Sequence, residues 1–161
     1  MTRRLSFRCA GPEEAPVLTS MAYASKRTWG YPEETLDEWN GPLDVLEEHF
    51  LSETFFIAEE EMEGRLVPVG FFSLMKMERE DTLDLDHFWV LPEAQGKGTG
   101  RLMFEQAVRE ARKMGARRMT ITAEPRAEGF YLRMGAARIG GKPTVVGGER
   151  HVLPLLELLL D

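Results

Sequence analysis

Glycines occupy every second position from Gly96 to Gly100. This loop follows a strand-like run that ends at Val90 and precedes a helical run. Glycine has no Cβ atom, so this loop can adopt backbone angles that other residues avoid and can approach a ligand closely. The first N–H groups of a helix have no partner inside it, and the positive end of its dipole attracts anions. The spacing therefore predicts a phosphate cradle, to which Lys97 adds a positive charge.

The same spacing excludes two common phosphate-binding loops. A P-loop lysine is followed by serine or threonine, whereas Gly98 follows Lys97 in this chain. A dinucleotide fingerprint that began at Gly96 would have a glycine at the position of Arg101. The pattern that remains is Val-x-Pro-x-x-Gln-Gly-x-Gly-x-Gly, over residues 90–100.

This pattern resembles the acyl-CoA loop of the GNAT N-acetyltransferase superfamily. Residues 127–136 resemble the second signature of that family, Ala-x-x-Phe-Tyr-x-Arg/Lys-x-Gly-Phe, with Ala136 where phenylalanine is usual. The two signatures stand in the family's order, with a helix and a strand between them. The resemblance is therefore strong over residues 83–140, and elsewhere it rests on the order of the elements.

The resemblance implies an enzyme that transfers the acetyl group of acetyl-CoA to a primary amine, by direct attack in a ternary complex and without a metal. The alternative is a catalytically silent acyl-CoA-binding sensor or regulatory module. Tyr131 stands where the family places a tyrosine that faces the CoA sulfur. A phenol with a pKa of ~10 is protonated at neutral pH and can give its proton to a thiolate, which favours the enzyme.

The resemblance also implies which residues contact acetyl-CoA. In the family, a bulge at the end of the strand before the loop frees backbone groups for the pantetheine arm and the acetyl carbonyl, because a bulge leaves a residue unpaired. The implied cofactor-binding residues are Val90, Leu91, Gln95, Gly96, Lys97, Gly98, Thr99, Gly100, Arg101 and Arg133.

The sequence leaves the proton acceptor for the amine open. Asp84, Asp86 and His87 lie in the strand that leads to the loop, and alternation predicts the two aspartates on one face and His87 on the other. His87 has a suitable intrinsic pKa. Glu78 is a further candidate, and an ordered water is an alternative to all four.

Glu124 stands where relatives often begin the second signature with asparagine. Its carboxylate could bind a cationic amine, act as the base, or point to solvent. We expect the first helices and the final loop to build the acceptor site, and the sequence does not identify the acceptor. The candidate lining residues are Tyr23, Trp29, Tyr31, Trp39 and His151, all of types that also occur in cores.

The predicted element order is β-α-α-β-β-β-α-β-α-β-β, the order of the GNAT fold, which is a mixed α/β fold with a splayed central sheet flanked by helices. We expect a first helix from Gly11 to about Thr28 and a broken second helical region between Glu33 and Leu51, because Pro32 and Pro42 interrupt it. The predicted strands are 4–10, 54–59, 67–76, 82–90, 118–122, 136–139 and 152–160, the fifth of them parallel to the fourth. The Gly- and Pro-rich segment 140–148 is predicted to be a mobile loop.

Length, composition and charge limit the number of domains, the partners and the compartment that we expect. A chain of 161 residues is expected to form a single domain over residues 1–161. Its net charge of −7 argues against a nucleic-acid partner. Cys9 lies in an alternating strand, so we expect a small core residue, and a single cysteine fits a reducing cytoplasm. The apolar run 152–160 is too short to span a membrane, and a homodimer is one option for the assembly.

Overall fold

The computed structural model describes residues 4–36, 38 and 42–160 of the chain. Three helices lie in this part: α1 (Ala15–Arg27), α2 (Thr99–Lys113) and α3 (Glu128–Arg133). The strands are β1 (Leu5–Cys9), β2 (Glu53–Met62), β3 (Arg65–Lys76), β4 (Thr82–Val90), β5 (Arg118–Thr122), β6 (Ala137–Val146) and β7 (Glu149–Leu159). They form one mixed sheet in the order β1-β2-β3-β4-β5-β7-β6, so the predicted mixed α/β architecture is confirmed.

Both faces of the central strands are covered by apolar packing. Phe55 and Phe71 point to the face that α1 covers, whereas their neighbours Phe56 and Phe72 pack with α2 on the other face. Consecutive side chains on a strand point to opposite faces, which explains why these strands carry apolar residues at nearly every position. Burial of each such ring stabilises the fold by about 1.5–3 kcal/mol.

The sheet divides between β4 and β5. These two strands run parallel, as predicted, and pair over three positions, Thr82–Asp84 with Arg118–Thr120. Beyond them β4 stays with β3 while β5 pairs with β7, so the paired part of the sheet forks. The predicted splay of the central sheet therefore begins just after Asp84.

A β-bulge interrupts the ladder between β3 and β4. Ser73 is opposite His87 while Leu74 is opposite Leu85, which leaves Asp86 as the extra residue. One extra residue shifts the alternation by one, so Asp86 and His87 lie close together. The prediction that His87 faces away from Asp86 is therefore wrong, and the bulge lies inside β4 rather than at its end.

Two predicted elements differ from the structure. The expected second helical region contains the short 3-10 turns Glu33–Thr35 and Glu47–Leu51, and residues 42–46 have no regular secondary structure, with Leu43 and Val45 buried. The expected mobile loop at 140–148 is instead most of a β-hairpin, because β6 continues to Val146 beside β7. The turn of this hairpin uses positive φ angles at Gly147 and Gly148, a conformation that glycine adopts readily in tight hairpin turns.

Cys9 is exposed at the end of β1, an edge strand of the sheet. The expectation that it is a core residue is wrong: Leu5 and Phe7 of the same strand pack against the core, whereas Cys9, the last residue of the strand, does not.

The packing at Gly70 predicts a large loss of stability for Gly70→Ala. A Cβ atom there would lie 2.4 Å from the Trp89 carbonyl oxygen and 2.8 Å from the Met103 sulfur. Crowding of this kind costs about 1–3 kcal/mol of unfolding free energy, and occasionally more. Gly140→Ala is the matched control, because its Cβ would meet a side-chain atom at 3.9 Å. Urea denaturation measures both, and an equal change in the two variants would contradict the prediction.

Candidate active site

A cleft of about 470 Å³ opens where β4 and β5 separate. One wall is β4 and the other is the end of β5 with the start of α3. The C-terminal end of α1 contributes Ser25, Thr28 and Trp29. The further lining residues are Leu85, Asp86, Phe88, Trp89, Val90, Gln95, Gly100, Ile121, Thr122, Glu124, Arg126, Ala127, Gly129, Phe130, Tyr131 and Arg133.

The glycine-rich loop opens directly into α2 at one end of this cleft. Gly96 and Gly98 have φ angles of 74° and 82°, in the left-handed region that favours glycine. The first helical hydrogen bond runs from the Leu102 N–H to the Gly98 carbonyl at 3.2 Å. The amides of Gly100 and Arg101 precede this bond and have no acceptor inside the helix, so they form a donor site for an anion.

Two polar side chains of the loop hold its shape. The Thr99 hydroxyl donates to the Ala94 carbonyl at 2.9 Å. The side-chain amide of Gln95 donates to the Val90 carbonyl at 3.0 Å and to the Thr28 hydroxyl at 3.3 Å. The Gln95 N–H itself donates to the Pro92 carbonyl at 3.3 Å. The donor cradle therefore begins at Gly96, whereas Gln95 joins the loop to the ends of β4 and α1.

The edge of β4 presents backbone groups to the cleft. The Leu91 N–H donates to the Val69 carbonyl at 2.9 Å, so the backbone groups of Leu91 face β3. Hydrogen-bonded residues alternate along an antiparallel ladder, so the backbone groups of Val90 and Phe88 face the opposite side, where β5 has already separated. The bond from Gln95 to the Val90 carbonyl agrees with this orientation.

Tyr131 lies in the wall of the cleft that α3 forms. Its ring packs against Phe88, Phe104 and Phe130, with centroid distances of 5.3–5.9 Å, and the residue is 6% exposed. Burial raises the pKa of its phenol well above the usual range, and the negative charge of Asp84 adds to this effect. The hydroxyl therefore stays protonated at neutral pH and can donate into the cleft.

Glu124 is part of a polar group at the mouth of the cleft. The Tyr31 hydroxyl donates to its carboxylate at 2.5 Å, and the Arg126 guanidinium lies 4.6 Å from the centre of the Tyr31 ring. Burial and then the hydrogen bond and charge of Glu124 raise the pKa of Tyr31, while Arg126 opposes them. This arrangement does not agree with a Glu124 carboxylate that points into solvent. It leaves the other two possibilities, binding a cationic amine or acting as the base.

The bulge on β4 brings several titratable groups together. Asp86 lines the cleft, and its carboxylate, the His87 imidazole and the carboxylate of Glu53 have ligand-type atoms within 4.8 Å of one another. Sequence reasoning missed Glu53, because its strand is remote in the chain and no motif marks it. Asp84 is buried and accepts a 2.5 Å hydrogen bond from the Thr120 hydroxyl at the fork.

Other candidates from the sequence lie elsewhere. Glu78 is exposed in the turn before β4, and neither Tyr23 nor His151 lines the cleft. Trp39 lies outside the described residues.

Arg101 and Arg133 line an adjacent hollow of about 460 Å³, which Glu105, Phe130 and Met134 complete.

The sequence matches the model of the acetyltransferase (GNAT) family over residues 18–136. That range covers most of the chain, including the cleft, both signatures and the fork of the sheet. The chain therefore belongs to the GNAT family of acetyltransferases, and it is a transferase. No curated protein matches the sequence.

Solved structures share the whole fold. A GCN5-related N-acetyltransferase from Rhodopseudomonas palustris is 25% identical, with a TM-score of 0.74 and 99% of both chains covered. The protein yncA of Salmonella typhimurium, solved with its cofactor acetyl-CoA, has a TM-score of 0.70 at 20% identity, covering 98% of this chain and 95% of its own. Spermidine N-acetyltransferase from Vibrio cholerae, in complex with CoA and spermine, has a TM-score of 0.74 at 14% identity, covering 97% and 95%.

The burial of Asp84 predicts a pH-dependent gain of stability for Asp84→Asn. Burial raises the pKa of Asp84 to about 6, the charge of Asp86 adds to this, and the Thr120 hydrogen bond and Lys142 oppose it. Between the unfolded pKa of ~3.9 and about 6 the folded state holds a proton that the unfolded state lacks, so wild-type stability falls as pH rises through this window. An asparagine does not ionise, so the variant gains up to about 3 kcal/mol at pH 7.

Urea denaturation at several pH values between 4 and 7 measures this difference. The two proteins should differ least at pH 4 and most above pH 6. Parallel stability curves over the whole range would show that Asp84 ionises in the fold as easily as in the unfolded chain.

Proposed function

We propose that this protein transfers the acetyl group of acetyl-CoA to a primary amine, by direct attack within a ternary complex in the cleft. The observation that carries the proposal is the composition of one continuous cleft. Backbone donors at a helix N-terminus lie at one end, a protonated phenol lies in the wall, and the carboxylates Asp86 and Glu124 also line it.

The donor end suits the phosphates of acetyl-CoA. Oriented backbone N–H groups with the helix dipole bind a pyrophosphate without a dedicated side chain. Lys97 is exposed, so its charge is screened and we expect it to add little. Arg101 and Arg133 offer two further cations in the adjacent hollow for a phosphate of the nucleotide end. The acetyl-CoA bound to yncA supports this assignment of the cosubstrate.

The free edge of β4 suits the thioester. The carbonyl oxygen of a thioester gains negative charge as an amine attacks, and a fixed N–H donor in a water-poor site stabilises that charge. The Val90 N–H is our candidate for this donor. Tyr131 then gives its proton to the sulfur as the bond to carbon breaks, and the attacking nitrogen supplies the proton that restores it.

The acidic side of the cleft suits a cationic acceptor. An amine enters as an ammonium ion and must lose a proton before its lone pair can attack. Asp86 lines the cleft and is our candidate for the group that receives it, while Glu124 can hold a positive charge at the mouth. The spermine bound to the Vibrio cholerae enzyme supports a cationic amine.

This proposal gives nucleic acid no part, in agreement with the acidic net charge, and the cytoplasm remains our expectation for its location. In the part of the chain that the structure describes, no helix combines the length and apolar character needed to cross a membrane.

A screen of primary amines that follows CoA release from acetyl-CoA tests the function. The panel contains polyamines, amino acids, aminoglycosides and peptides with free N-termini or lysines. Acetylation of at least one class, with CoA and product in equal amounts, supports the proposal. Tight binding of acetyl-CoA without turnover of any amine would favour the silent acyl-CoA-binding module.

The loop geometry predicts that Gly98→Val removes CoA binding. A β-branched residue at a φ of 82° costs about 1–2 kcal/mol and turns the donor amides away. Calorimetry should show affinity for CoA lowered by at least about 100-fold. Gly115→Val is the matched control, because Gly115 has a φ of 87°, equally open surroundings and a place at the far end of α2. Equal CoA affinities in the two folded variants would sink the proposed cradle.

The position of Tyr131 predicts a loss of turnover in Tyr131→Phe. The substitution removes one oxygen and keeps the packed ring, so folding and acetyl-CoA affinity should survive. General acid catalysis contributes about 10²–10⁴ in rate, and kcat should fall by an amount in that range. Tyr23→Phe, outside the cleft, is the control. A kcat for Tyr131→Phe within about twofold of the parent would contradict the assignment.

A further inference from the structure

Glu53 has no part in the function proposed so far, yet it lies beside the acidic side of the cleft. It begins β2 and is 8% exposed. The Ser73 hydroxyl donates to its Oε1 at 2.8 Å, and the same hydroxyl accepts the backbone N–H of His87 at 3.0 Å. The hydroxyl hydrogen of Ser73 therefore points to Glu53, and this hydrogen bond fixes the position of the carboxylate.

The bulge brings the second carboxylate to Glu53. Asp86, the extra residue of the bulge, places a carboxylate oxygen within 4.8 Å of a carboxylate oxygen of Glu53, near enough for a proton to be shared between the two groups. Such sharing requires a proton on one of them, because two carboxylates accept and do not donate. Ionising both carboxyl groups at this separation costs more free energy than ionising one of them, which favours a proton shared by the two.

Among the residues that the structure describes, no lysine or arginine is among the groups that shift the pKa of Glu53 or His87. The His87 imidazole accepts the Trp89 indole N–H on Nδ1 at 3.0 Å, which leaves its proton on Nε2, facing Asp86 at 3.8 Å. Burial lowers the pKa of His87 more than the charge of Asp86 raises it, and His49 lowers it further, so the ring is neutral.

Asp84 is a further titratable group near Glu53, and it is also acidic. Its charge adds to the burial and to the contact with Asp86, which together raise the pKa of Glu53 to about 8, while the Ser73 hydrogen bond opposes them.

We propose that Glu53 and Asp86 form one proton-accepting pair, in which Asp86 contacts the acceptor amine and Glu53 acts as a positioning residue that makes the pair more basic. This inference rests on the proposed acetyl transfer. When both groups are ionised, the ammonium gives one proton to the pair, and the neutral amine attacks the thioester. The second nitrogen proton replaces the one that Tyr131 gives to the sulfur, and the pair later returns its proton to solvent.

A pair of carboxyl groups is a stronger base than a single carboxylate. A single exposed carboxylate has a pKa of ~4 and takes a proton from an alkylammonium only rarely. A base whose pKa lies near the working pH accepts the proton far more readily and is still ionised often enough to act.

The titration of the pair can be measured without any acceptor. Carbon-13 NMR of the side-chain carboxyl groups follows Glu53 through pH in the wild type, Glu53→Gln, Asp86→Asn and the control Glu61→Gln, an exposed residue of the same strand. We expect a carboxyl signal with a midpoint near pH 8 in the wild type and the control, and none in Glu53→Gln. In Asp86→Asn the midpoint of Glu53 should fall by at least about one pH unit. A wild-type midpoint below pH 6, or no change in Asp86→Asn, would overturn the pairing.

A kinetic arm separates this inference from the proposed function. With any amine that the screen identifies, kcat/KM should rise with pH through about 8 in the wild type and in Glu61→Gln. In Glu53→Gln the rise should move to lower pH, and kcat at pH 8 should fall by at least about tenfold with the KM for acetyl-CoA within about twofold. Profiles of Glu53→Gln and wild type that superimpose would overturn the role of Glu53. A screen without any accepted amine would instead count against the transferase proposal, while the NMR titration would still test the pair.

Discussion

The cleft depends on a parallel strand pairing that stops after three residues. β4 and β5 pair from Thr82 to Asp84, and each then continues beside a different neighbour. A sheet normally uses every backbone group of a central strand in its ladder, whereas the fork leaves one edge of β4 open in the middle of the molecule. The open edge supplies fixed backbone groups that face the cleft. Flanking side chains from α1 and α3 then form the walls.

Charge is divided along this cleft in a way that matches two different ligands. The N-terminus of α2 with nearby arginines is electropositive, and Asp86 and Glu124 are electronegative. Under the proposed function, this division of charge suits a phosphate-bearing acyl donor at one end and a cationic acceptor at the other. The buried phenol of Tyr131 lies in the wall and stays neutral, so it adds no charge to the electropositive or the electronegative end of the cleft.

The features that follow from local sequence were predictable, and those that depend on register were not. Alternating glycines before a helix mark the loop, because the positive φ angles at Gly96 and Gly98 require them. The bulge at Asp86 leaves no such mark, since residues 82–90 contain neither glycine nor proline. Glu53 joins the site through the pairing of strands that are remote in sequence. The hairpin at 140–148 has the composition of a loop, and its pairing with β7 overrides that composition.

Amide hydrogen exchange with and without acetyl-CoA tests most directly whether the open edge of β4 receives the acyl donor. Resolved by NMR, the Val90 and Gly100 amides should exchange more slowly when acetyl-CoA is bound. The Leu91 amide, which already donates to Val69, should serve as the unchanged reference. Saturating acetyl-CoA that protects Gly100 but leaves Val90 exchange unaltered would place the thioester elsewhere. No protection at either amide would contradict the cleft as the acetyl-CoA site.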